Sequence, residues 1–194
     1  GVDLIINAVN VSGSGNGVFA VNRGSGALSI NTSGTVYAYN YDGIFADNTR
    51  SVGTDLLINA ASVSAGHHGI NALNNGTGVL TITATGTVVG SDYEGILARN
   101  YGTGTDLTIN ATTVSGGYEG IYANNSGDGA LSITSTGAVT GGTNHSGIYA
   151  RNYGTVLTID AASVSGGSNG IFGRNHLVGG DLSITSTGTV IGTN

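Results

Sequence analysis

Apolar and polar residues alternate along the chain in short runs. In Leu80 to Thr85, Leu80, Ile82 and Ala84 fall on one side, and Thr81, Thr83 and Thr85 on the other. A period of two predicts a β-strand with one buried face. Ile96 to Asn100 behaves likewise, with Ile96, Ala98 and Asn100 on one face and Leu97 and Arg99 on the other. No stretch carries a 3.6-residue apolar stripe long enough for a helical repeat, so the fold class predicted is all-β.

The runs recur. Leu-x-Ile begins at Leu4, Leu28, Leu56, Leu80, Leu107, Leu131, Leu157 and Leu182, with spacings of 24, 28, 24, 27, 24, 26 and 25. Gly-Ile-x-Ala-x-Asn follows once per unit and ends on Asn22, Asn48, Asn74, Asn100, Asn125, Asn152 and Asn175, with Val18 in place of Ile and Gly173 in place of Ala. A Val lies alternately 7 and 8 residues after the Leu, and the longer units carry an extra Gly (Gly34, Gly86, Gly137, Gly188). Two unit types therefore alternate in pairs of about 51 residues.

Periods of this size predict stacked coils. Each unit reads as three short strands, at Leu-x-Ile, at the Val and at Gly-Ile-x-Ala-x-Asn, parted by Gly, Asn, Ser and Asp turns. The prediction is a right-handed parallel β-helix of about 24–28 residues per coil. Residues 1–194 form a single unit of about seven and a half coils, expected to be a piece cut from a longer rod. At about 4.8 Å per coil the rod would be roughly 35 Å long.

Composition agrees. A narrow cross-section leaves room for one Leu, one Ile or Val and small residues, as in the inward series Ala8, Thr32, Ala60, Ala84, Ala111, Ser135, Ala161 and Ser186. The Gly before each Ile marks a corner that needs positive φ or admits no side chain. Pro is absent, as expected where strand N–H groups are ladder donors. The recurring Asn falls on the inward face at a corner, where an asparagine ladder between coils is expected. A net charge of −6 with five Arg and no Lys argues against a nucleic-acid partner. The chain has no Cys for disulfides or thiolate metal sites, and no apolar run of membrane-spanning length.

The units Leu-Thr-Ile-Thr-Ala-Thr-Gly-Thr-Val-Val-Gly (80 to 90) and Gly-Ile-Tyr-Ala-Arg-Asn (147 to 152) resemble the passenger domains of bacterial autotransporters, the type V secreted surface proteins. The likeness runs through the whole chain. It implies export and display at the bacterial cell surface as an extracellular stalk or adhesin. The chain itself would not be membrane-embedded but tethered through a translocator barrel missing from this sequence. A surface receptor or glycan is the partner implied, and the family supplies no catalytic residues.

Three outward columns could carry chemistry. The residues before the corner Gly are Asn16, Asp42, His68, Glu94, Glu119, Ser146 and Asn169, preceded by Gly15, Tyr41, His67, Tyr93, Tyr118, His145 and Ser168. Both series are expected to be exposed. Glu94 and Glu119 would stack one coil apart, near the ~5 Å separation of a retaining glycosidase; the plainer reading is a solvated column of rings stacking between coils. A divalent metal on Asp42, His68 and Glu94 is conceivable, but no ligand spacing demands it.

The second column is Phe19, Phe45, Asn71, Leu97, Tyr122, Tyr149 and Phe172, an apolar stripe suited to a sugar or protein partner, or to packing under loops. The third is Thr-rich (Thr81, Thr83, Thr85; Thr108, Thr112; Thr134, Thr136) and is broken by Leu57, Asn59 and Asp160. It suggests an ice-binding array, or strand propensity alone. Gly166 to Gly170 matches Gly-x-Ser-x-Gly without the strand-to-helix elbow that motif needs.

The expected function is therefore a structural or adhesive surface segment, with no enzymatic activity, cofactor, metal or catalytic residue. A carbohydrate-active β-helix enzyme or an ice-binding solenoid is the alternative. The candidate binding residues are Phe45, Leu97, Tyr122, Tyr149 and Phe172, with Tyr93 and Tyr118 at the corner.

Overall fold

A computed structural model describes residues 2–49, 52–176 and 180–193. The described chain contains seventeen strands and no helix, and it winds as a β-solenoid of about seven turns. All strand pairs are parallel and join equivalent segments of successive coils. One sheet holds ten strands and begins each coil; the other holds seven.

The first two predicted strands of a coil run together. Leu56–Ala65, Leu107–Gly116 and Leu157–Gly166 are each continuous strands, as are Leu28–Ala38 and Leu80–Gly90. In the first and last coils they stay separate, as Leu4–Ala8 with Val11–Gly13 and Leu182–Ser186 with Val190–Gly192. The extra Gly of the longer units falls where register shifts. Ala84 faces Ala111 and Thr87 faces Thr113, so Thr85 and Gly86 oppose Thr112 alone. This is a β-bulge, repeated in every second coil, that bends the sheet and lets two unit lengths stack without losing register.

The core is the register made visible. Leu28, Leu56, Leu80, Leu107, Leu131 and Leu157 form one buried column, and Ile30, Ile58, Ile82, Ile109, Ile133 and Ile159 a second. Opposite them, on the second sheet, stand Ile44, Ile70, Ile96, Ile121 and Ile148. Each coil buries its apolar face on the coils before and after, at about 25 cal/mol per Å² removed from water.

The asparagine ladder is present. Nδ2 of Asn48 donates to Oδ1 of Asn74 at 3.0 Å, Asn74 to Asn100 at 2.9 Å, Asn100 to Asn125 at 2.9 Å and Asn125 to Asn152 at 3.0 Å. The same amides donate to turn carbonyls, Asn48 to Thr54 and Asn152 to Val156. A second device repeats every other coil: carboxylates of Asp3, Asp55 and Asp106 accept the N–H of Ala27, Val79 and Ala130 on the following coil.

Candidate functional site

Each second-sheet strand starts at a corner whose main chain is tied to the next coil. Gly43 N–H donates to His68 O at 3.0 Å, Gly69 to Glu94 O at 3.1 Å and Gly95 to Glu119 O at 3.1 Å. Side chains ahead of the glycine are thereby stacked one coil apart, and this changes their environment from the exposed one the sequence suggests. Asp42, His68 and Ser146 are buried, and Glu94 and Glu119 are half-buried. The physical reason is mutual cover: each is roofed by its counterparts on the adjacent coils.

The best-developed cluster spans three coils. Oδ1 of Asp42 receives Nδ1 of His68 at 2.8 Å and Nδ1 of His67 at 2.9 Å, and the two ring nitrogens lie 3.1 Å apart. Asn71 Nδ2 donates to the other oxygen, Oδ2, at 2.9 Å. The far nitrogen of His68, Nε2, lies 3.0 Å from Oε2 of Glu94, an ion-pair approach off the N–H axis of a well-aligned hydrogen bond.

Charge follows from this geometry. Burial alone would push the Asp42 carboxyl up, but hydrogen bonds from His68, Asn71 and His67 and the charge of His68 hold it at about 2. Burial alone would depress His68, yet its two carboxylate neighbours, Asp42 and Glu94, raise it to about 9. Glu94 is likewise drawn down, against its own burial, by its contact with His68 and the nearby charges of His68 and Arg99. His68 is therefore an imidazolium between two carboxylates at neutral pH.

The metal triad conceived from sequence, Asp42, His68 and Glu94, is thus rearranged. Asp42, His67 and His68 converge, while Glu94 stands behind His68. Glu94 and Glu119 are engaged in opposite directions along the rod: Glu94 pairs with His68 of the preceding coil and Glu119 with His145 of the following one, at 3.4 Å.

All the candidate binding residues except Leu97 lie in ring stacks, one at the corner and two on the outward face. At the corner His67, Tyr93, Tyr118 and His145 follow one another with ring centroids 4.0, 4.9 and 4.3 Å apart. On the outward face of the second sheet Phe19 stacks on Phe45 at 4.9 Å, and Tyr122, Tyr149 and Phe172 stack at 5.1 and 4.7 Å, all within 9° of parallel. Asn71 and Leu97, both buried, separate the two groups. Rings in this column use their faces on one another and offer edges and phenol groups outward.

Two features escaped the sequence reading. Beside the Tyr122, Tyr149 and Phe172 stack runs a cationic column: Arg99, Asn124, Arg151 and Arg174 are successive register partners on the same outward face. The guanidinium of Arg99 lies 5.5 Å from the Tyr122 ring and that of Arg151 4.9 Å from Tyr149. Its signal is the fifth residue of each Gly-Ile-x-Ala-x-Asn unit, which shows only when the units are laid on one another as a column. The second feature is a groove at the bend of the first sheet, lined by Asn7, Asn31, Asn59, Thr83 and Thr85. Asn59 donates to Asn31 at 2.9 Å and Asn31 to Asn7 at 3.0 Å along it. The groove depends on the bulge, which alternation alone does not announce.

The chain matches no protein-family model, no curated protein and no solved structure. Its site residues rest on geometry alone.

Proposed function

We propose that the chain is a stiff segment of a bacterial surface or secreted protein of the autotransporter type, a stalk or adhesin that carries a ligand-binding face away from the cell. The observation that supports this reading is the parallel pairing of each described coil with the next, in register on both sides of the bulge, reinforced by asparagine, carboxylate and aromatic ladders along the same axis. Such a rod resists bending because a bend must stretch the many parallel hydrogen bonds that tie each coil to its neighbours.

Adhesion is assigned to the outward face of the second sheet. Tyr122, Tyr149 and Phe172 supply ring edges and phenol groups, with Arg99, Arg151 and Arg174 alongside. The protein carries a net charge of −6, so three cations in one column favour an acidic ligand there. An acidic surface glycan fits: carboxylates for the guanidinium forks and hydroxyls for the phenols and Asn124. Phe45, Leu97, Tyr93 and Tyr118 flank this face rather than form its centre.

The test is a glycan array probed with the tag-free chain beside an Arg99→Ala/Arg151→Ala variant. Salt-sensitive binding to carboxylated glycans, reduced at least tenfold in the variant, is the expected result. Binding to neutral glycans alone, or to none, would refute the adhesive assignment. Glu119→Gln should leave binding unchanged, and loss of a polysaccharide-cleaving activity in that variant would instead favour an enzyme.

A further inference from the structure

We propose that Asp42, His67 and His68 form a binding site for a first-row divalent transition-metal ion that clips two coils together. The donor atoms are Oδ1 of Asp42 and Nδ1 of each histidine, and they form a triangle with edges of 2.8, 2.9 and 3.1 Å. With metal–ligand bonds of ~2.1 Å, one face of an octahedron has edges of about 3.0 Å and one face of a tetrahedron about 3.4 Å. The triangle matches the octahedral face. An ion seated on it keeps three further positions, and His67, a third exposed, gives them access to solvent.

Donor chemistry selects the ion. Two imidazoles and one carboxylate suit iron, cobalt, nickel, copper or zinc. Magnesium and calcium prefer oxygen ligands throughout.

The ligands are held from behind. Asn71 Nδ2 fixes the second oxygen of Asp42 at 2.9 Å, leaving Oδ1 for the ion. Glu94 Oε2 stands 3.0 Å from His68 Nε2, on the nitrogen away from the donor Nδ1, where a carboxylate raises the basicity of a metal-bound imidazole. The His67 ring packs against Tyr93 with centroids 4.0 Å apart. Equivalent positions on other coils lack this convergence: Tyr93-Glu94 and Tyr118-Glu119 each offer one ligand, and His145-Ser146 brings a single imidazole to Glu119. Among the described residues only the junction of Asp42 with His67-His68 gathers three donors.

The tag-free chain, stripped with chelator and brought to about pH 8 so that protons compete less for the imidazoles, is titrated by calorimetry with Co²⁺, Ni²⁺, Zn²⁺ and Mg²⁺. One equivalent of each transition ion should bind, with a rise in unfolding temperature, and Mg²⁺ should not. His67→Tyr installs the residue that adjacent coils carry, so it keeps the ring stack while removing one donor. It should weaken binding at least tenfold with an unchanged far-UV spectrum. Glu94→Gln keeps all three donors and should weaken binding roughly 10- to 100-fold, while His145→Tyr should have no effect. Absence of saturable binding by all three transition ions below about 1 mM, or undiminished binding in folded His67→Tyr, would overturn the assignment.

Discussion

Gly69 lies directly beneath Val88 of the next coil, so that a Cβ on Gly69 would stand 2.6 Å from Cγ1 of Val88 and 2.5 Å from the carbonyl oxygen of Gly95. The corner glycine is required by this contact, since its backbone lies outside the left-handed region. Gly69→Ala should destabilise the chain by roughly 1–3 kcal/mol. Adding Val88→Ala should restore part of that and no more, because the Gly95 carbonyl remains. Denaturant unfolding of the two single variants and the double gives the coupling energy. Strict additivity would show that the contact is not the cause.

Asn100 sits mid-ladder, accepting from Asn74 and donating to Asn125 and to the carbonyls of Thr105 and Asp106. Asn100→Ala strands buried partners on both sides and should cost on the order of 2–4 kcal/mol. Asn175→Ala, where the amide is reached by water, should cost under about 1 kcal/mol. Thermal unfolding of the two variants side by side distinguishes a ladder that strengthens toward its middle from a set of independent turns.

The coil was legible because its inward residues obey one rule eight times: Leu28, Leu56, Leu80 and Leu107 had to superpose if the spacings meant anything. The asparagine ladder was legible for the same reason. The corner was read less well. Asp42 and His68 look like exposed loop residues in a single unit, and their burial arises only from the coils above and below. Column chemistry such as Asp42 with His67, or Arg99 with Arg151, lies between residues about one or two coils apart, so it emerges only when units are laid on one another. The bulge concealed both the merging of two strands and the groove at Asn31 and Asn59.

Stability of the metal-free chain should peak between about pH 4 and 6.5. His68 holds its proton to about pH 9 when folded, against 6.5 unfolded. The folded form binds more protons between those values, so its stabilisation is complete below 6.5 and fades as pH rises through 9. Asp42 runs the other way: at about 2 folded and 3.8 unfolded, its contribution is complete above 3.8 and is lost as pH falls through 2. The alkaline loss is on the order of 3 kcal/mol. Urea unfolding in chelator across pH 5 to 10 measures it, and His68→Gln should flatten the alkaline limb.

Ring stacking makes a graded prediction. Tyr149 has a ring on each side, Tyr122 and Phe172, with Arg151 over it, while Phe19 has Phe45 alone and is largely exposed. Tyr149→Ala should cost about 2 kcal/mol and Phe19→Ala about 0.5–1 kcal/mol. Equal losses at the two sites would show that the column acts through propensity rather than stacking.

The alternation of two unit lengths predicts which deletions the rod tolerates. Leu56–Ala65 and Leu107–Gly116 share length and burial pattern, and each follows an Asp that accepts an N–H of the next coil. Removing residues 56–106 joins Asp55 to Leu107 and restores the native succession of short and bulged coils. Removing residues 80–106 alone sets two short coils in contact, with no bulged strand between them. The first deletion should fold cooperatively, shorten the rod by about 10 Å in small-angle scattering and abolish metal binding, since His67 and His68 go with it. The second should unfold at lower denaturant than the first although it removes fewer coils. If both deletions are equally stable, the bulge is decoration and the repeating unit is one coil rather than two.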